Sequence, residues 1–198
     1  MSVLVSCFEP FGGESINASQ ELVNVLSSTR KDLHYLVLPT VFSSAVDRII
    51  QTIDLIRPGL VIMLGEASGR ASISLERVAL NFANARIQDN EGSQPSHELI
   101  RADGPLALQT NLPLERISDV LTVEGIPNTI SYFAGTFVCN SLSYGVLEYC
   151  LHNSIQAGFV HVPLCERQAL EKPTIPFMQS YLAAKAVELI IDVCTKTK

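Results

Sequence analysis

Two patterns of apolar and polar positions alternate along the chain. Short apolar runs predict buried strands, and the four clearest are 2–8, 33–42, 60–65 and 157–164. The run LVIMLG at 60–65 is apolar throughout and ends in glycine, which is typical of a strand covered on both faces. Residues 43–58 instead place apolar side chains three or four positions apart. This spacing predicts an amphipathic helix with Ser43 or Ser44 as its cap.

The rest of the chain continues this alternation. Further helices are predicted at 19–26, 114–125 and 175–194, further extended segments at 72–87 and 128–138, and one more helix beginning near Cys139. Residues 88–113 are polar and rich in Gly, Pro and Asp, which predicts a long surface loop of the kind that borders a site. Strands that alternate with helices indicate an α/β fold, a three-layer α/β/α sandwich. Without repeats or linkers, we expect one domain over 1–198.

Composition and charge exclude several classes of protein. Apolar residues make up 47% of the 198 positions, which predicts a well-buried core rather than disorder. A net charge of -6 argues against a nucleic-acid partner, because such a partner requires a cationic surface. No apolar run is long enough to span a bilayer, and the N-terminus lacks the basic segment of a signal peptide. We therefore expect a cytoplasmic protein that binds neither nucleic acid nor a membrane.

The cysteines fit a reducing compartment. Their number is odd and none forms a CxxC pair, so neither a disulfide framework nor a zinc site is expected; they are Cys7, Cys139, Cys150, Cys165 and Cys194. Only Cys139 follows an apolar run and also opens a predicted helix, for which Asn140 and Ser141 are the expected caps. The helix dipole lowers the pKa of a thiol in this position, and the first N–H groups can hold an oxyanion. On this stretch alone, a buried cysteine that only fills space is slightly favoured over a nucleophile.

A nucleophilic thiol needs a base, and His161 is the strongest candidate. It interrupts the apolar strand GFVHVPL, where a polar ring requires a structural partner or a catalytic thiol. Glu76, which lies in SLERVAL, is the candidate for orienting the imidazole. Arg77 or Arg86 could equally pair with this carboxylate in a structural role, and spacing alone does not decide between these alternatives.

Three aromatic residues stand beside predicted strand ends. Phe8, Phe11 and Phe137 could wall an apolar pocket for a small flat group, although core packing is the default for any phenylalanine. The glycine-containing loops EPFGGE and GEASGR lack the spacing of nucleotide-binding motifs, so nucleotide binding is not expected.

Four longer motifs carry a family resemblance. FEPFGGESINAS, SGRASISLERVALNFANARIQDNEGSQP, GIPNTISYFAGTFVCNSLSYG and GFVHVPL together span nearly the whole chain. In order and spacing they resemble the pyroglutamyl peptidase I family of cysteine peptidases, which remove an N-terminal pyroglutamyl residue from peptides. The resemblance implies a mostly parallel, mixed sheet of the phosphorylase/hydrolase type. It also implies Cys139 as nucleophile, His161 as general base and Glu76 as the orienting carboxylate.

The same resemblance implies the rest of the site. Phe8, Phe11 and Phe137 would form the pyroglutamyl pocket together with Arg86 of ARIQDN. Acyl transfer through a thioester would follow, with no metal or cofactor, on peptides that begin with pyroglutamate. Members of the family often form homo-oligomers such as tetramers, and the same is expected here.

Some positions depart from the family pattern. Ser6-Cys7-Phe8 stands where Thr-Gly-Phe is usual, and Gln88 stands where proline is usual. Glu66 replaces the glutamine of a common Gly-Gln-Ala. If its side chain faces the pocket, its charge would raise the pKa of the thiol; if only its backbone matters, the change is harmless. The alternative function is therefore a non-catalytic or weakly active homologue that binds pyroglutamyl groups. A nucleoside phosphorylase-like enzyme is the second rival, without a phosphate-binding motif to support it.

Overall fold

A computed structural model describes residues 1–196, and its elements follow the predicted alternation. The strands are β1 (Val3–Phe8), β2 (His34–Leu38), β3 (Leu60–Glu66), β4 (Ile73–Glu76), β5 (Val78–Leu80), β6 (Ala107–Gln109), β7 (Asn128–Ser131) and β8 (Gln156–Val162). The helices are α1 (Ala18–Thr29), α2 (Phe42–Ile56), α3 (Leu114–Val123), α4 (Val138–His152), α5 (Glu166–Ala169) and α6 (Ser180–Thr195).

Six of the strands form one mixed sheet in the order β2-β1-β3-β8-β4-β7. Strands β2, β1, β3 and β8 run parallel to one another. β4 pairs antiparallel with β8 and parallel with β7. The mostly parallel, mixed sheet implied by the resemblance is therefore confirmed. β5 and β6 form a separate antiparallel pair, so β6 is a short strand within the predicted long loop.

Two apolar layers cover the faces of the sheet. Along β1, Val5 packs with α1 and α6, whereas Leu4 packs with α2 and α4. Along β3, Ile62 and Val61 divide between the same two layers. Apolar side chains on both faces of these strands explain why their sequences show no polar alternation. The three-layer α/β/α sandwich is thus confirmed.

The starts of two helices differ from their predicted positions. α2 begins at Phe42, and the Phe42 N–H donates to Asp89 Oδ2 over 3.0 Å, so neither Ser43 nor Ser44 is the cap. α6 begins at Ser180, after the predicted position 175, and its first N–H donates to Glu166 over 2.8 Å. In both helices a carboxylate distant along the chain satisfies the first turn, which local sequence does not reveal.

Within residues 1–196, no helix is both long and apolar enough to cross a bilayer.

Candidate active site

A cavity of about 440 Å³ opens at the carboxyl ends of β3 and β8. Its lining includes Phe11, Glu66, Arg70, Arg86, Phe133, Phe137, Cys139 and His161. Such an edge, where strand ends meet helix starts, is the usual position of a site in an α/β sheet. A larger surface groove of about 740 Å³ lies near Arg101 and Glu148, but its lining contains no cysteine.

Cys139 is the second residue of α4, and it is half-buried at the cavity. Gly65 of β3 leaves room for it, since a β-carbon placed on Gly65 would lie 3.1 Å from Cys139 Sγ. The same β-carbon would lie 2.7 Å from the ring of Phe159. The glycine that ends the apolar run of β3 therefore allows the close approach of the thiol.

The expected caps of α4 have other roles. Phe137 occupies the cap position without a side-chain hydrogen bond. Asn140 is buried and hydrogen-bonds to the end of β5. Its Oδ1 accepts from Leu80 N over 2.8 Å, and its Nδ2 donates to the carbonyls of Leu80 and Phe82. The hydroxyl of Ser141 has no hydrogen-bond partner within residues 1–196. The cap prediction was wrong because Asn140 lies within the first turn, where its amide reaches a neighbouring strand.

Glu76 and His161 form a buried pair across the antiparallel β4 and β8. Glu76 Oε1 lies 2.8 Å from His161 Nδ1, and the two residues are only 2% and 4% exposed. With Nδ1 engaged by the carboxylate, Nε2 is the nitrogen left for the cavity that Cys139 shares. Burial alone would raise the pKa of Glu76, but the hydrogen bond and charge of His161, with a contribution from Arg70, lower it.

The thiol of Cys139 is less acidic than the helix dipole alone predicts. Burial raises its pKa to about 12, and the charges of Glu76 and Glu66 act in the same direction. The backbone at the helix start lowers the pKa, but by less. The expected lowering was therefore wrong, because the helix carries the thiol into a packed and negatively charged site. The Cys139 thiol is consequently neutral at neutral pH and requires a base to become a nucleophile.

Arg70 is a cavity-lining residue that the sequence did not single out. Its Nη1 lies 2.6 Å from Glu76 Oε1, and its Nη2 donates to the carbonyl of Phe133 over 3.1 Å. The partners considered from sequence lie elsewhere: Arg77 pairs with Glu115, and Arg86 is exposed at the cavity. The only available signal was position, since Arg70 ends the turn that follows the buried strand β3.

Aromatic rings form one wall of the cavity. Phe11 and Phe137 both line it, with ring centroids 6.0 Å apart. Phe42 packs edge-on against Phe137 at 5.3 Å and supports it from behind. Phe8 is buried in the core layer against which Phe137 packs, and it is not among the residues that line the cavity. Of the three predicted aromatics, the structure therefore brings two to the cavity surface.

The loop that carries Arg86 is fixed by its neighbours Asp89 and Asn90. Asp89 Oδ1 accepts from two N–H groups of its own turn, while Oδ2 caps α2. Asn90 donates to Glu9 Oε1 over 2.8 Å and to the carbonyl of Pro10 over 2.9 Å. These contacts join the Arg86 loop to the turn that holds Phe11, so both sides of the cavity mouth are placed together.

Glu66 ends β3 and lines the cavity, as the conditional prediction required for an effect on the thiol. Its Oε2 accepts from Ala18 N, at the start of α1, and from Gln168 Nε2, both over 2.8 Å. Burial raises the pKa of Glu66, and these two hydrogen bonds oppose the rise. Its carboxylate thus stabilises the start of α1, and its negative charge raises the pKa of the Cys139 thiol.

A half-buried cysteine at the cavity, an imidazole in contact with a buried carboxylate, and an α/β/α scaffold together match the class of the cysteine peptidases. The sequence profile described as pyroglutamyl peptidase matches residues 1–197, and the chain belongs to that family. The pyrrolidone-carboxylate peptidase of Brachyspira hyodysenteriae is 44% identical over 195 residues, which is 96% of this chain and 97% of that protein. Pyrrolidone-carboxylate peptidase 1 of Caldanaerobacter subterraneus is 41% identical, over 99% of this chain and 98% of that protein.

Solved structures agree with this assignment. The crystal structure of Bacillus amyloliquefaciens pyroglutamyl peptidase I superposes with a TM-score of 0.90 at 39% identity, covering 96% of this chain and 94% of that chain. A mutant pyrrolidone carboxyl peptidase from Pyrococcus furiosus gives a TM-score of 0.91 at 36% identity, covering 98% and 97% of the two chains. The family resemblance and the fold it implies are both confirmed.

Proposed function

We propose that this protein removes an N-terminal pyroglutamyl residue from peptides, by acyl transfer through a thioester on Cys139. The observation that carries the proposal is the 2.8 Å contact between the buried Glu76 and His161, a histidine that lines the same cavity as Cys139. Family membership supports the reaction, and the geometry supports the assignment of roles.

In the first step, His161 Nε2 removes the proton from the Cys139 thiol, and the sulfur attacks the carbonyl that joins pyroglutamate to the next residue. Glu76 keeps the imidazole in the tautomer that accepts this proton and stabilises the resulting imidazolium. The backbone N–H at the start of α4 holds the oxyanion, together with Arg86 at the cavity mouth. Each such donor is typically worth about 3 kcal/mol of transition-state stabilisation.

In the second step, the carbon–nitrogen bond breaks and His161 donates its proton to the leaving amine, which is the new N-terminus of the shortened peptide. A water molecule, deprotonated by His161, then attacks the thioester carbonyl. The products are free pyroglutamate and the regenerated Cys139 thiol.

Specificity for the lactam follows from the wall of the cavity. A pyroglutamyl ring is flat and uncharged, so the rings of Phe11 and Phe137 can pack against it. An ordinary peptide would bring a charged N-terminal amine to the same wall, at a cost in desolvation. The aromatic wall therefore favours lactams over free amino termini. Phe8 belongs to the core layer against which Phe137 packs.

Release of a fluorophore from a pyroglutamyl amide tests the proposal. The wild type under reducing conditions should release it, and iodoacetamide or Cys139→Ala should abolish release. Cys194→Ala, which removes a partly accessible thiol on α6, is the matched control and should remain active. A prolyl amide, with the same ring size but a charged amine, should be a poor substrate. Release that survives Cys139→Ala would contradict the site assignment.

A weakly active homologue that binds pyroglutamyl groups is the second candidate. The observation that favours it is the pKa of Cys139, raised to about 12 by burial and by the charges of Glu76 and Glu66. Wild-type protein that binds pyroglutamate in calorimetry but releases no fluorophore would support this alternative.

We also propose a cytoplasmic location for the protein. Its five free thiols fit the reducing cytoplasm, which would keep Cys139 active. We further propose a single catalytic domain over 1–198, because α1 and α6, from opposite ends of the chain, pack in one core layer. A homo-oligomer such as a tetramer is expected from the family, and light scattering after size-exclusion chromatography measures it directly.

A further inference from the structure

The carboxylate of Glu76 receives its hydrogen bonds on one oxygen. Oε1 contacts both His161 Nδ1, at 2.8 Å, and Arg70 Nη1, at 2.6 Å. Oε2 is buried and has no hydrogen-bond partner within residues 1–196. Arg70 therefore supplies one of the two hydrogen bonds to Oε1 of a carboxylate that is only 2% exposed, and the nearby Ser131 hydroxyl also lowers the pKa of this carboxylate. An anion buried to this degree depends strongly on each of its partners.

The same guanidinium also reaches the wall of the cavity. Arg70 ends a tight turn in which its N–H donates to the carbonyl of Ala67 and Gly69 adopts a φ of 88°. From there Nη2 donates to the carbonyl of Phe133, a cavity-lining residue in the segment between β7 and α4. The planar side chain of Arg70 thus joins Glu76 to the segment that leads into Cys139.

We propose that Arg70 is a positioning residue of the reaction. It holds Glu76 in register with His161 and ties that pair to the cavity wall at Phe133. The inference rests on the proposed function, in which Glu76 orients the general base.

The pH at which the Cys139 thiol ionises gives an independent measure of this role of Arg70. The charged groups that face Cys139 and His161 are Glu76 from β4, Glu66 from the end of β3, Arg70 from the following turn and Arg86 from the loop after β5. Burial and the charge of Glu76 raise the pKa of Cys139, and the charge of Arg70 opposes them. Loss of the Arg70 charge should therefore move thiolate formation to higher pH, whereas loss of its geometry alone should not.

Two variants separate charge from geometry. Arg70→Gln removes both, and Arg70→Lys keeps the charge but loses the planar fork that contacts Glu76 and Phe133 together. We expect kcat on a pyroglutamyl amide to fall roughly 10- to 100-fold in Arg70→Gln and roughly tenfold in Arg70→Lys, by analogy with partners that orient metal-bound histidines. The pH at which iodoacetamide alkylates Cys139 should move upward in Arg70→Gln and stay in place in Arg70→Lys.

Controls make the outcome decisive. Arg101→Gln removes a surface ion pair of similar length, 3.0 Å to Glu148, and should change neither readout. Thermal unfolding establishes that each variant is folded; if Arg70→Gln is not, the kcat of Arg70→Lys decides. Full kcat in Arg70→Lys, or an unmoved alkylation profile in a folded Arg70→Gln, would overturn the proposal. Wild-type protein without peptidase activity would instead refute the proposed function, while the alkylation readout would still report on Arg70.

Discussion

At the scale of single residues, Glu66 shows how one atom can change the chemistry of the thiol. Glu66→Gln retains an oxygen that can accept from Ala18 N and Gln168 Nε2, so the start of α1 should stay in place. The substitution removes a negative charge that, after burial and Glu76, raises the pKa of Cys139. We predict that alkylation of Cys139 by iodoacetamide then begins at lower pH, and that kcat/KM near neutral pH rises. The rate of iodoacetamide alkylation against pH tests the first prediction, and steady-state kinetics on a pyroglutamyl amide test the second.

A matched pair of variants tests this account of Glu66. Glu14→Gln removes a neighbouring carboxylate whose contact is the ion pair with Lys172, and it should leave alkylation unchanged. Glu66→Ala should lower the stability of the fold by about 1 kcal/mol, because α1 loses an acceptor for its first turn. An unchanged alkylation profile in Glu66→Gln would show that the Glu66 charge does not reach the thiol.

Glu76 connects catalysis to acid stability. Its pKa in the folded protein is lowered, because the contacts from His161 and other donors outweigh the effect of burial. A depressed pKa means that the carboxylate stabilises the fold above its ordinary pKa of 4.5, and that this contribution is lost as the pH falls below it. We predict that the free energy of unfolding, measured in urea, falls less in Glu76→Gln than in the wild type when the pH is lowered from about 6 to about 3. Glu171→Gln, at an exposed position after α5, should instead retain the wild-type acid dependence.

At the scale of elements, the strands are more predictable than the helix starts. The strands at 2–8 and 60–65 could be predicted because both of their faces are apolar, a property contained in the local sequence. The starts of α2 and α6 could not, because the groups that satisfy their first N–H groups, Asp89 and Glu166, lie outside those helices. Capping by a distant carboxylate is a tertiary interaction, and no pattern of neighbouring residues contains it.

The start of α2 gives a direct comparison between a local and a distant cap. Asp89→Ala should lower the free energy of unfolding by about 1–2 kcal/mol, since it removes the acceptor for Phe42 N. It should also raise KM for a pyroglutamyl amide, because Asp89 orders the turn that follows Arg86. Ser43→Ala, at the cap expected from sequence, should have little effect on either quantity. Equal losses in the two variants, measured by urea unfolding, would mean that the serine contributes as much as the carboxylate.

At the scale of the whole molecule, the site depends on the change from parallel to antiparallel strand pairing at β8. β8 pairs parallel with β3 and antiparallel with β4, so its carboxyl end lies beside Gly65 on one side and near Glu76 on the other. Cys139, His161 and Glu76 could be nominated from the sequence because each is a reactive residue in an apolar setting, but only the family resemblance assigned them catalytic roles. Arg70 and the cap formed by Glu66 could not, because their importance arises only when separate segments meet around the cavity.

Gly65 is the point at which this assembly is most constrained. In Gly65→Ala the new methyl group would lie 2.7 Å from the buried ring of Phe159, which must shift, and 3.1 Å from Cys139 Sγ, which is crowded as well. Overpacking of this kind typically costs about 1–3 kcal/mol of stability. A displacement of the sulfur by about 1 Å can lower the rate roughly 100-fold. We therefore predict a loss of kcat on a pyroglutamyl amide that exceeds the effect of destabilisation.

Gly59→Ala is the matched control for this prediction, because it lies next to the start of the same strand, β3. Its new methyl group would meet the flexible side chain of Met1, which is 68% exposed and can turn away. This variant should keep kcat. Both variants are compared at a temperature where urea unfolding shows them to be folded, so that a lower kcat in Gly65→Ala reports the position of the thiol. Equal kcat in the two variants would mean that the Cys139 thiol tolerates displacement, and that the glycine at the end of β3 serves packing alone.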